Sequence, residues 1–405
     1  MSAALIYPLE GNRRNLILAT LASAVGFWGW TIIAPLGVKY AGQLSLNAAQ
    51  TSLLVATPVL VGSLGRIVVG ALTDKLGGRV MFTVILFSTV PPVLLVSLAG
   101  TVKSFWLLLV FGFLLGVAGT VFAVGIPFVS AWYAAPRRGF ATGVFGMGMG
   151  GTALSAFLTP RLVESIGYVP THLVIAGLLA LAGLGCWFLL RESPARQAST
   201  APVVPKLVEA ARLPVTWQMC FLYAVVFGGF VSFCTYLPTY LRDIYGFNLA
   251  DAGSRTAGFA LAAVIARPVG GIIADRTGPR AVVAFSLAAV AGLAFVVNLQ
   301  PVGEVATGAT FLAMAAALGL GTGGVFAWVG IGSPAGKVGA VTGVVSAAGG
   351  LGGYFPPLVM GATYNAAEHS YAIGLLLLAG TAVVALAFAL LIGRRRARGH
   401  VQQPA

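Results

Sequence analysis

A chain of 405 residues with 58% hydrophobic and only 8% charged residues lacks the polar surface to cover itself in water. Soluble domains carry about 25% charged residues, so the solvent of this chain is lipid. Its formal net charge of +14 invites a nucleic-acid reading. No basic cluster lies outside the loops that set membrane topology, however, and nucleic acid is excluded as a partner.

Near the N-terminus, Arg13 and Arg14 precede an apolar run, and Ala22-Ser23-Ala24 resembles a signal-peptide cleavage site. The run continues unbroken to Val38, long enough to span a bilayer, which predicts a retained first helix. Apolar runs separated by polar or Pro/Gly-rich breaks predict helices over 15–38, 49–74, 80–100, 104–132, 139–163 and 170–191. A second set follows over 216–241, 251–275, 280–299, 304–331, 338–362 and 370–393. Between the sets lies Glu192 to Pro214, the longest polar stretch. The expected organisation is an N-terminal six-helix bundle (1–191), a cytoplasmic linker (192–214), a C-terminal six-helix bundle (215–393) and a basic tail (394–405). The fold class expected is an all-α polytopic membrane protein, twelve transmembrane helices in two pseudo-symmetric six-helix bundles. The 54 glycines suit it, because close helix contact in lipid relies on small residues. Cys186, Cys220 and Cys234 fall inside apolar runs as packing residues. The last two are about 21 Å apart along one helix, too far for a disulfide.

Lys and Arg crowd the segments that lie inside if the N-terminus does: Arg13, Arg14, Lys75, Arg79, Arg137, Arg138, Arg196, Lys206, Arg276, Arg280, Lys337 and Arg394–Arg396 among them. The opposite face holds only Lys39, Lys103, Arg161, Arg242 and Arg255. That asymmetry places both termini and the linker in the cytoplasm, with the lipid of an inner membrane as partner. The halves also repeat each other. Gly70-Ala-Leu-Thr-Asp74-Lys75-Leu-Gly77-Gly78-Arg79 returns as Gly271-Ile-Ile-Ala-Asp275-Arg276-Thr-Gly278-Pro279-Arg280, and Thr142-Gly143-Val144 returns as Thr342-Gly343-Val344. Two parallel six-helix halves around a central site is a transporter plan.

Arg66 and Arg267 each stand eight residues before the repeated aspartate, about 12 Å up the helix and near the bilayer midplane. An arginine there costs at least about 2.5–3.5 kcal/mol. All ten acids, by contrast, map to helix ends, loops or tails. A lone arginine snorkels or bonds helix carbonyls; a symmetric pair without carboxylates predicts two guanidinium groups facing a cavity that receives a mobile anion. Guanidinium is planar and permanently charged, with forked donors that match a planar oxyanion. His172, His369 and His400 lie at helix ends or in the tail. No metal site, cofactor site or catalytic constellation is expected, and so no enzyme.

The Gly-x-x-x-Asp-Lys/Arg-x-Gly-x-Arg pattern, present twice, resembles the signature loop of the major facilitator superfamily, and the resemblance covers the whole chain. It gives Asp74, Arg79, Asp275 and Arg280 the role of cytoplasmic signature loops. The runs Gly143-Val-Phe-Gly146-Met-Gly148-Met-Gly150-Gly151-Thr152 and Gly343-Val-Val-Ser-Ala-Ala-Gly349-Gly350-Leu-Gly352-Gly353 resemble the paired glycine signatures of the nitrate/nitrite porter family. These glycines are expected to press the fifth and eleventh helices against the eighth and second as sliding contacts during gating. The resemblance implies that Arg66 and Arg267 bind substrate and that Phe122, Tyr223 and Phe227 sandwich it. Met149 departs from the Asn common in the family, as do Thr322 and Ala327 from Asn and Lys. The expected function is secondary transport of nitrate and nitrite by a functional monomer, through antiport. Proton symport, another small anion such as formate, oxalate, cyanate or a monocarboxylate, and a non-transporting anion receptor are the alternatives.

Overall fold

The computed structural model describes residues 11–133, 138–194, 203–334 and 337–400. Arg137, Arg196 and the end of the basic tail lie outside the described residues. Eleven of its helices are long and apolar enough to cross a membrane. They are α1 (Arg13–Leu44), α2 (Ala48–Leu76), α3 (Gly78–Thr101), α4 (Phe105–Ser130), α5 (Ala141–Ile166), α6 (Tyr168–Leu189), α7 (Pro214–Tyr245), α8 (Leu249–Thr277), α9 (Pro279–Asn298), α10 (Glu304–Gly332) and α12 (Ala372–Ile392). The remaining span, α11 (Val338–Gly352), stops short and resumes as Phe355–Ala362. An unbroken helix was expected over 338–362. Pro356 and Pro357 lie in the first turn of the resumed helix, where the N–H groups that proline lacks have no partner within the helix.

Local chemistry repeats in the two halves at the helices that carry the arginines. Asn47 and Gln50 form a reciprocal capping box at the start of α2, and the Asn248 side chain accepts from the Asp251 N–H at the start of α8. At the other ends, Gly77 (φ 95°) and Gly278 (φ 86°) close the helices, their N–H groups donating to Thr73 and Ala274 carbonyls at 2.9 Å. Glycine takes that left-handed backbone without strain, which accounts for the Gly shared by both copies of the loop. The loops then anchor within their own halves. The Arg79 N–H donates to Glu192 Oε1 at 2.7 Å, with its guanidinium over the Trp187 ring, and Arg280 Nη2 donates to the Leu390 carbonyl at 2.7 Å. Asp74 and Asp275 are exposed between them.

The linker holds a short amphipathic helix, Val203–Ala211, and Glu209 on it pairs with Lys337 at 3.0 Å. Outward faces of the spans are apolar: Trp106 is 71% and Phe188 74% exposed, surface that lipid rather than water solvates.

Contact between the halves concentrates at the ends opposite the repeated loops. Arg161 Nη2 donates to Ser254 Oγ at 2.6 Å, and Arg242 Nη1 donates to the Val38 carbonyl at 2.9 Å. Gly253 of α8 lies against the Ala156 carbonyl of α5, and Gly361 against Ser52 of α2. The molecule is closed at that end. Toward the repeated loops, a Cβ on Gly143, Gly146, Gly150 or Gly343 would meet no neighbouring atom within 4 Å. In this conformation these four glycines make no close contact. Gly148 instead packs on Ser23 and the Thr20 carbonyl of α1, so α5 presses on α1, while its contact with α8 is supplied by Gly253. Gly350 does lie close to the other half, where it meets Ser63 of α2. Gly349 and Gly352 lie against α7, at Tyr223 and the Ala224 carbonyl.

Candidate substrate site

Arg66 sits in the middle of α2 and is 3% exposed. Its Nε donates to the Gly119 carbonyl at 3.3 Å, and its Nη1 to the Ser346 carbonyl at 3.2 Å and Ser346 Oγ at 3.3 Å. Its Nη2 is buried with no hydrogen-bond partner among the described residues. Arg267, at the matching level of α8, donates from Nη2 to Tyr223 Oη at 3.3 Å and from Nη1 to Met149 Sδ at 3.0 Å. Every hydrogen-bond acceptor found for the two guanidiniums is neutral, and thioether sulfur is a weak one.

Two rings tie the arginines into one chamber. Phe122 of α4 has the Arg66 and Arg267 Cζ atoms at 5.5 and 5.4 Å from its centroid, and Phe227 of α7 has them at 5.7 and 5.9 Å. Tyr223 stacks on Phe227 with centroids 4.9 Å apart and planes 6° from parallel, as their spacing of one helical turn allows. Aromatic faces offset part of the cost of holding a cation out of water. A small cavity beside Arg267 is lined by Met149, Phe227, Phe230 and Thr322 among others. The five residues singled out by sequence, Arg66, Arg267, Phe122, Tyr223 and Phe227, thus come together from four helices of both halves.

The Major Facilitator Superfamily profile matches residues 19–357. The "Probable nitrate/nitrite transporter NarK2" of Mycobacterium tuberculosis H37Rv is 58% identical over 95% of this chain and 98% of that protein. The chain belongs to the Major Facilitator Superfamily. Within the superfamily it is a member of the nitrate/nitrite porter family, as its glycine-rich helices implied. A second relative, the "Probable nitrate/nitrite antiporter NarK1" of Thermus thermophilus, is 35% identical over 85% of this chain and 84% of its own. The superfamily fold is shared with a bacterial homolog of the lysosomal transporter Spinster in an inward-facing, occupied conformation. That structure aligns with TM-score 0.72 and 20% identity, over 95% of this chain and 98% of that one.

Three further residues of this facilitator reach the arginines without having been assigned a site role from sequence. Phe326 of α10 lies 5.3 Å from Arg267 Cζ and edge-on to Tyr223. Met149, which departs from the family pattern, places its sulfur 3.0 Å from Arg267 Nη1. Ser346 could have been found, being the one hydroxyl within Gly343–Gly353. Thr322, by contrast, turns its hydroxyl to the Leu318 carbonyl at 2.7 Å.

Proposed function

We propose that the protein exchanges nitrate for nitrite across the bacterial inner membrane by alternating access, with Arg66 and Arg267 as the paired anion ligands. One observation carries this reading: a buried Arg66 and a partly buried Arg267 share two aromatic rings and, among the described residues, bond to neutral acceptors, with Arg66 Nη2 left over. A planar anion with oxygens in one plane satisfies such forks in a charge-assisted, bidentate way. Flat rings on either side admit a flat ion and exclude a bulky one. The names carried by the relatives point to the same substrates.

Both termini and the linker face the cytoplasm in this reading, and the closed end is periplasmic, so the site opens inward. A monomer suffices, since both arginines come from one chain. Exchange is favoured over symport by charge. Importing an anion against an inside-negative potential costs about 2.3 kcal/mol per 100 mV, whereas nitrate for nitrite moves no net charge. A proton symporter usually employs a titratable group within the membrane. Asp243, the carboxylate on α7, lies in the last turn of that helix and accepts from Tyr371 Oη at 2.5 Å.

Liposomes preloaded with nitrite are expected to take up nitrate rapidly with the pH gradient collapsed. Rapid uptake into empty liposomes under an inward proton gradient would assign symport instead. Phe122→Ala removes a ring shared by both cations, and is expected to raise the half-saturating nitrate concentration about 10-fold. Counterflow at graded nitrate concentrations measures that shift, and an unchanged value would remove Phe122 from the site.

A further inference from the structure

The arginine contacts differ in what they join. Arg66–Gly119 and Arg267–Tyr223 stay within one half, and so leave the halves free to move. Arg66–Ser346 and Arg267–Met149 cross from one half to the other, in opposite directions. Arg66 belongs to the first bundle and reaches α11 of the second. Arg267 belongs to the second and reaches α5 of the first. Met149 and Ser346 are both buried, at 2% and 7% exposure, as is Arg66, while Arg267 is partly exposed; both acceptors are thus held against the guanidiniums by the packing rather than reached through water.

We infer that Met149 and Ser346 are positioning residues that stand in for the anion: with the site empty they hold the two guanidiniums across the interface and lock the halves together. The inference rests on the exchange reading above. An anion offers several charged oxygens to Nη atoms that otherwise find a thioether, a hydroxyl and a carbonyl, and charge-assisted bonds are roughly twice as strong. Substrate therefore displaces Met149 and Ser346, and the cross-half bonds are gone when the halves slide past each other. The unloaded carrier has to break both bonds with nothing to replace them, and it reorients slowly. Obligatory exchange then arises from two neutral side chains, in addition to the repulsion between two cations. The two latches are unequal. Met149 contributes only its sulfur, while Ser346 contributes a backbone carbonyl as well, which no substitution there removes.

The readout is the ratio of net efflux into anion-free buffer to efflux in exchange for external nitrite, in proteoliposomes loaded with nitrate. Met149→Leu keeps the volume and removes the acceptor. It is expected to raise the ratio about 3- to 10-fold, the factor that one lost hydrogen bond across the interface supplies. Ser346→Ala is expected to raise it less than about 3-fold, because the carbonyl remains. Met149→Gln restores a neutral acceptor of similar reach and is expected to return the ratio to or below the parental value. A general packing defect lowers both fluxes and leaves the ratio where it was. An unchanged ratio in Met149→Leu, with the variant still exchanging, overturns the stand-in role while leaving antiport intact. Parental protein that shows fast net efflux without external anion removes the antiport reading itself.

Discussion

Arg66→Lys and Arg267→Lys are each expected to reduce nitrate exchange at least ~100-fold while the protein still accumulates in the membrane. Lysine preserves the charge but replaces a planar fork of five donors with a point cation of three. At Arg66 the fork is already divided, with Nε on Gly119, Nη1 on Ser346 and Nη2 unoccupied. A lysine could satisfy the carbonyls or the anion, not both. Each hydrogen bond to a charged group contributes about 1.5–3 kcal/mol, so losing one bidentate pair accounts for two orders of magnitude. Folding should survive, because among the described residues neither arginine is bonded to a carboxylate that the change would strand. Proteoliposome exchange normalised to folded protein is the measurement, and near-parental exchange by either variant would end the claim that this pair binds the substrate.

Gly350→Leu is expected to slow exchange about 10- to 100-fold, in the range that forced overpacking of a tight contact costs. A Cβ at Gly350 runs into the Ser63 side chain of α2, so a leucine holds the two halves apart beside the arginine pair. Gly150→Leu should be much milder, since a Cβ there meets nothing within 4 Å. Sequence symmetry alone ranks the two glycines equally, and the structure separates them. Measuring both variants side by side tests the distinction: equal slowing would show that Gly150 closes onto a neighbour in another state of the cycle, and that the packing seen here does not control turnover.

Membrane class, the two-fold repeat and the arginine pair were all legible from residue order. Lipid rejects charge, so a cation eight residues inside a span, present twice and without a carboxylate at its depth, stands out in the sequence, and this is why the pair is proposed to receive an anion from outside the chain. The loop glycines Gly77 and Gly278 were legible for a similar reason, since their backbone conformation excludes most other residues. Phe122, Tyr223 and Phe227 were legible only through family resemblance. An aromatic in an apolar run looks the same whether it faces the cavity, the bundle or the lipid. In water, a helix shows its buried face by amphipathic spacing; in lipid both faces are apolar and that signal is lost. Phe326 went unassigned for this reason, and Met149 could not be placed against Arg267. The break in α11 and the choice of which glycines touch which helix likewise depend on how the spans pack. Small residues permit close approach along any face, and only the arrangement of the neighbouring helices selects the face that is used.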